Sequence, residues 1–95
     1  MMTMMIKDTL GAYREQIRSF LASNFYIRDV EALDEESSLL EGGIIDSTGV
    51  LEVVGFIETT FNISVEDSEI LPENLDSIQA IACYVAGKKK LIAEL

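Results

Sequence analysis

The chain contains no histidine, so it can build neither a serine nucleophile with an imidazole base nor a Cys/His zinc constellation. Its one cysteine, Cys83, has no partner for an internal disulfide and fits a reducing, intracellular compartment. Basic side chains are also scarce: seven Lys and Arg against seventeen Asp and Glu leave a formal charge of −10. That charge repels phosphate backbones and anionic headgroups, which argues against nucleic acid and membrane surfaces as partners. It suits basic patches on other proteins, although plain solubility would use it equally well. No apolar run approaches the roughly 20 residues needed to span a bilayer. The opening MMTMMIKDTLGAYREQ has no basic n-region, sustained h-region or small-residue cleavage site, so a cytoplasmic protein is expected.

What is present is 95 residues, 48% of them hydrophobic, enough for one compact domain that buries roughly two-thirds of its unfolded surface. From Ile6, apolar residues recur at Leu10, Tyr13, Ile17, Phe20 and Leu21. This spacing predicts an amphipathic first helix over about 4–22. The next stretch, up to Gly42-Gly43 and Asp46, has no lasting period and reads as a connector of about 20 residues, a length that calls for a functional reason. Phe25, Ile27, Val30, Leu33, Leu39 and Leu40 offer anchors to pin it as an ordered but relatively mobile loop. After Asp46-Ser47, the residues Val50, Leu51, Val54, Ile57 and Phe61 fall on one side of a second helix, about 47–61, with Thr48, Glu52, Gly55 and Thr59 on the other. Asn62-Ile63-Ser64 breaks that helix, and a short third helix near 66–71 fits before Pro72. Asp76 with Gln79 resembles a capping box for a fourth helix, about 76–86, striped by Ile78, Ile81, Ala82 and Val85. Gly87 is a plausible stop. The basic run Lys88-Lys89-Lys90 complements a helix C-terminus, and Leu91, Ile92 and Leu95 leave open whether the helix continues. The expected fold is all-α, a four-helix bundle of three longer helices and one short one, with helix packed on helix.

Chemistry concentrates at Ser47. Asp46 is placed to cap the second helix, and the glycines before it let the backbone turn into that helix. A hydroxyl there is exposed, and a phosphate ester formed on it would meet free backbone N–H groups and the positive end of the helix dipole. On these two residues alone, Asp46 and Ser47 acting only as helix caps is the competing reading. A hydrolase is excluded further by the lack of a glycine two residues before Ser47, where a nucleophile elbow requires one. The acidic stretch Asp34-Glu35-Glu36-Ser37-Ser38 is no calcium loop, because Leu39 stands at the turn-glycine position and Ile45 where the bidentate glutamate belongs. No phosphate-cradling loop ending in Gly-Lys-Ser/Thr is present. The chain therefore lacks the equipment of an enzyme, and no metal site is expected.

The residues Gly42-Gly43-Ile44-Ile45-Asp46-Ser47-Thr48, followed by an amphipathic helix ending in Phe61, resemble the acyl and peptidyl carrier protein family. Ile63-Ser64-Val65, Glu66-Asp67-Ser68-Glu69-Ile70 and Pro72-Glu73-Asn74-Leu75-Asp76-Ser77-Ile78 continue the resemblance in register with the serine. It covers about residues 35–87, leaving 88–95 as a basic and apolar tail to a single carrier domain of residues 1–95. The resemblance implies an acyl-carrier-protein-like bundle. It further implies that a phosphopantetheinyl transferase moves a 4′-phosphopantetheine arm from coenzyme A onto Ser47, with cargo then held as a thioester on the arm. Asp46 would serve as helix cap and as a contact for the transferase. The second helix would be the recognition surface of a monomeric carrier.

Departures from the fatty-acid-synthesis members bear on partners. Thr48 stands where leucine is usual, Gly55 replaces a larger apolar contact, and Thr59 stands where an acidic residue is common. The expected partner surface is then Thr48, Glu52, Gly55, Phe56, Glu58 and Thr59, extended by Glu66 and Asp67. For Phe56, which lies between the two faces, packing as core or loop cover is favoured over an exposed anchor. Cys83 is expected to be a small packing residue, and Tyr84 with the basic tail a solvated flank. The variant site resembles free-standing carriers of dedicated fatty acid, polyketide or nonribosomal pathways, loaded by an acyl- or aminoacyl-adenylate ligase or served by an acyltransferase or synthase. The Gly-Ile-Ile-Asp-Ser run resembles D-alanyl carriers. The alternatives are an aminoacyl, D-alanyl or peptidyl carrier, or a non-catalytic helical interaction module.

Overall fold

A computed structural model describes residues 2–25, 27, 29 and 32–94. The fold is all-α, with four α-helices and no strand among the described residues. Helix α1 spans Met2–Asn24, α2 Ser47–Phe61, α3 Pro72–Leu75 and α4 Ile78–Glu94, with a 3-10 turn at Asp67–Glu69 between α2 and α3. Helix α1 packs on α4, and α3 packs on α4. Their apolar faces meet α2 in one core that includes Ile17 and Leu21 from α1, Val53, Ile57 and Phe61 from α2, and Ile78, Ile81 and Val85 from α4. Edge-on ring contacts between Tyr13 and Phe61, with centroids 5.0 Å apart, join α1 to the end of α2.

Helix α2 ends where its sequence breaks: Asn62 caps it in the left-handed conformation, with φ of 57°, which asparagine tolerates better than branched residues do. The third helix differs from the expected 66–71. A residue before proline is pushed into the extended region, and Leu71 lies there with φ −127° and ψ 147°. Helix cannot run through it, so the segment divides into the 3-10 turn and a separate α3 with Pro72 at its first position.

The fourth helix starts later and runs further than expected. Asp76 does not form a capping box with Gln79. It ends α3, its own N–H donating to the Pro72 carbonyl at 2.9 Å, while the Ser77 hydroxyl accepts from the Ala80 N–H at 3.0 Å and begins α4. Gly87 is no stop. It costs the helix about 1 kcal/mol relative to alanine, but the residues just after it hold the continued helix to the rest of the fold. Lys88 pairs with Glu69 at 2.9 Å, and Lys89 Nζ donates to the Phe61 carbonyl at 3.0 Å. The tail thus supplies a cation to the C-terminus of α2. Tyr84 is partly buried, its hydroxyl donating to Glu69 at 3.0 Å, so this flank is packed where a solvated one was expected. Cys83, expected to pack, is exposed.

The long connector is tied to both α1 and α4 at Glu35, and again at Leu39. Arg14 and Arg18 of α1 reach Glu35 at 3.5 and 3.6 Å, and Arg18 also donates to the Leu33 carbonyl at 2.9 Å. On the α4 side, the Gln79 N–H donates to the Glu35 carbonyl at 2.8 Å. Leu39 is the central anchor: its side chain is 0% exposed, its N–H donates to the Asp76 carbonyl at 2.8 Å, and its carbonyl accepts from Ile44 and Ile45. Val30 and Leu95, also named as apolar anchors or tail residues, lie outside the described residues.

Candidate functional site

The connector delivers the chain to α2 through a tight turn. Gly43 adopts φ of +75°, a conformation that other residues enter only with strain. The turn is closed by bonds from the Gly42 N–H to the Ser38 carbonyl and from the Gly43 N–H to the Leu40 carbonyl, at 3.0 and 3.1 Å. Ile45 is buried beneath it. Asp46 then takes an extended conformation, and its carboxylate accepts from the Gly49 N–H at 2.7 Å. This is an N-cap in the ordinary sense, satisfying one of the N–H groups that the first turn leaves without an intrahelical partner. Asp46→Ala is expected to lower unfolding free energy by about 1 kcal/mol, measured by urea denaturation; no change would show the cap to be idle.

Ser47 is the first residue of α2 and is exposed. The N–H groups of Ser47 and Thr48 point out of the helix start, where no preceding carbonyl lies in reach. Beside the serine opens a cavity of about 340 Å³, lined by Ser47, Val50 and Leu51 of α2, Leu40 of the connector, and Ile70 and Leu71 ahead of α3. Its lining is mostly hydrocarbon, with Asp76 as the one carboxylate. That carboxylate is already engaged, accepting from the Ser38 hydroxyl and from the Leu40 N–H at 2.9 Å.

Across the start of α2 lies a second, more polar groove of about 550 Å³, to which Asp46, Thr48 and Glu52 contribute together with Phe25 and Gly43. Further along the same exposed stripe come Gly55 and Thr59, while Glu66 and Asp67 are exposed at the 3-10 turn. Two residues of the expected partner surface are used elsewhere. Glu58 turns back on the fold, its carboxylate accepting from the Val65 N–H at 2.9 Å, so it is not an open surface charge. Phe56 stacks on Phe20 with centroids 4.2 Å apart and meets Phe61 edge-on at 5.8 Å. The ring is committed to the α1–α2 seam, as core packing would have it.

Leu51 reverses its expected side. It is 62% exposed at the mouth of the cavity, because the buried face of α2 follows Gly49, Val53, Ile57 and Phe61, and a residue two positions from Val53 lies about 200° around the helix. That strict four-residue series was the available signal, and Val53 the residue that would have revealed it. Gly49 also matters: a Cβ there would lie 3.0 Å from the Phe25 ring and 3.2 Å from the Ile45 side chain. Only a glycine lets the connector close over the first turn without shifting them.

Two ionisable groups near the cavity wall depart from their ordinary behaviour. Hydrogen bonding from the Glu66 N–H, then from Lys88, holds the Glu69 carboxyl below the usual 4.5. Burial and the neighbouring Glu69 carboxylate push the Tyr84 hydroxyl well above the usual phenol range, keeping it a donor. A carboxyl whose pKa is lowered by folding adds stability that is complete above its unfolded value and disappears as pH falls through its folded value. Glu69→Gln should therefore be less stable than wild type at neutral pH, and the gap should close on acidification below about 4.5. Thermal melts across that range check it; a gap independent of pH would refute the assignment.

Among the described residues no group of three or more side chains is arranged to hold a metal ion, and no helix is long and apolar enough to cross a membrane. No protein-family model matches the chain. It is 28% identical over 69 residues to the probable acyl carrier protein PigG of Serratia sp. (strain ATCC 39006), a match covering 73% of this chain and 79% of that protein.

Proposed function

We propose that the chain is an acyl carrier: Ser47 bears a 4′-phosphopantetheine arm, and the protein presents the arm's cargo to partner enzymes without catalysing a reaction. The observation that carries this reading is the exposed Ser47 at the start of α2, beside an apolar cavity, on an all-helical fold similar in sequence to a probable acyl carrier protein. The residues present fit the group. The Ser47 oxygen is accessible for a phosphodiester, the N–H groups of Ser47 and Thr48 and the helix dipole favour its negative charge, and the Asp46 carboxylate is drawn onto the Gly49 N–H. When bound, the arm supplies a terminal thiol for thioester formation. The protein's part is to hold that thiol at high effective concentration near each partner's active site.

Cargo with an apolar body fits this mostly hydrocarbon cavity better than a charged aminoacyl group, which would lose hydration among Val50, Leu51, Ile70 and Leu71 and meet only the Asp76 carboxylate, already bonded by Ser38 and Leu40. The exposed stripe of Thr48, Glu52, Gly55 and Thr59 supports a dedicated biosynthetic pathway whose adenylate-forming ligase loads the arm, in the cytoplasm. Incubation with coenzyme A and a broad-specificity phosphopantetheinyl transferase should add a single phosphopantetheinyl group to the intact protein, read by mass spectrometry. A wild type that stays unmodified would leave a helical interaction module as the better reading.

A further inference from the structure

The stretch from Glu66 to Asp76 walls one side of the cavity beside Ser47, giving it Ile70, Leu71, Pro72 and Leu75, yet of its own side chains only Leu75 is buried. A wall with so little buried apolar surface is weakly held by packing and belongs to the part of a fold that opens locally. Polar contacts hold it instead. At its start they converge on one atom: Glu69 Oε1 accepts from the Glu66 N–H at 2.9 Å, the Tyr84 hydroxyl at 3.0 Å and Lys88 Nζ at 2.9 Å. The Glu69 carbonyl, in turn, accepts from the Asn74 side chain at 2.9 Å. Tyr84 and Lys88 stand four residues apart on α4, so one face of that helix grips the wall on either side of Gly87. Hydrogen bonds with an ionised partner at each of two points are stronger than neutral ones and fix direction as well as distance. The other end of the wall is tied differently, by the buried Leu75 and by the bonds that the Ser38 hydroxyl and the Leu40 N–H donate to the Asp76 carboxylate.

We infer that Glu69 is a positioning residue which, gripped by Tyr84 and Lys88, keeps the 69–74 segment folded and closed as the cavity's outer wall, so that the segment unfolds locally, as far as the buried Leu75, when the grip is released. The consequence for cargo, that this wall governs how readily an apolar group on the arm enters and leaves the cavity, rests on the carrier reading of Ser47. The wall's own motion does not.

The test uses the full chain without the arm. Amide hydrogen exchange, read by two-dimensional NMR at neutral pH, is compared between wild type and Glu69→Gln. Exchange should rise about tenfold at Leu71 and Asn74, whose N–H groups bond within this segment, and should rise clearly less at Ile57 and Ile81 in the core, which exchange only through the smaller loss of global stability. Lys88→Met leaves the carboxylate in place and should give the same local pattern, which keeps the inference testable if Glu69→Gln fails to fold. Unaltered exchange at Leu71 and Asn74, or an equal rise at Ile57 and Ile81, would overturn it, because the first shows no grip and the second a merely structural role. A second reading follows in the octanoyl-loaded carrier, where Glu69→Gln should speed thioester cleavage by hydroxylamine severalfold; an equal rate would limit the wall to a role without bearing on cargo and overturn that half. If Ser47 accepts no arm, the carrier reading fails while the exchange result still decides the wall.

Discussion

Ser47→Ala is expected to take up no phosphopantetheine while folding as wild type does. The two halves of that result come from one fact: Ser47 is exposed at the first position of α2, with the cap supplied by its neighbour through the bond from Gly49 N–H to Asp46. Removing the hydroxyl therefore takes away the oxygen to which the phosphodiester is assigned and disturbs nothing that holds the helix start. Surface substitutions of this kind change stability by about 0.5 kcal/mol or less, and alanine suits a helix at least as well as serine. The loss of modification would then be complete and would not be an indirect result of unfolding. Intact-protein mass spectrometry after treatment with coenzyme A and transferase gives the first half, and a thermal melt gives the second. Modification that persists in the variant would move the attachment to another serine, and peptide mapping would say which.

Leu39→Ala is expected to lower unfolding free energy by about 3 kcal/mol, which in a domain of this size shifts the melting temperature down by roughly 15 °C. The side chain is 0% exposed within the core, so its removal loses the transfer free energy of the buried atoms and leaves a cavity that the surrounding helices fill only in part. The effect should also reach the site. Leu39 holds the connector at three backbone points, to Asp76, Ile44 and Ile45, and the chain from Ile45 onward places Asp46 and Ser47. A slower transferase reaction on the folded fraction of Leu39→Ala is therefore expected along with the lower melting point. Leu40→Ala is the useful comparison. Its side chain is 37% exposed at the cavity, and its truncation should cost far less stability. Equal losses in the two variants would show that burial is not what makes Leu39 the anchor.

These two residues mark how far the sequence could be read. The cap at Asp46 was legible because its partner Gly49 is three residues away, and such geometry follows from the backbone of one helical turn. The break at Asn62 and the split at Pro72 are likewise local, although the split moved the third helix from its expected place. Glu69 was recognisable only as one more surface acid, since what gives it a role is Lys88, nineteen residues on. Asp76 was read as the start of a helix because Ser38 and Leu40, which claim its carboxylate, lie 38 and 36 residues earlier. Leu51 was placed inward because an apolar residue near an apolar stripe is assumed to join it. The four-residue series Gly49, Val53, Ile57 and Phe61 carried the opposite signal, and the burial of Val53 and Ile57 shows that Leu51 faces out.

Taken alone, the sequence determined the helical class, the ends of α2, the exposed serine at its head and the exclusion of histidine-dependent chemistry. Each depends on residue type and on spacings within a turn or two, where the backbone alone sets geometry. The tertiary structure decided the rest: the apolar cavity beside Ser47, the continuation of α4 past Gly87, the inward turn of Glu58 and the grip on Glu69. Those features need groups far apart in the chain to meet, and which of many possible partners a carboxylate or a leucine finds is settled only when the helices pack together and exclude water between them.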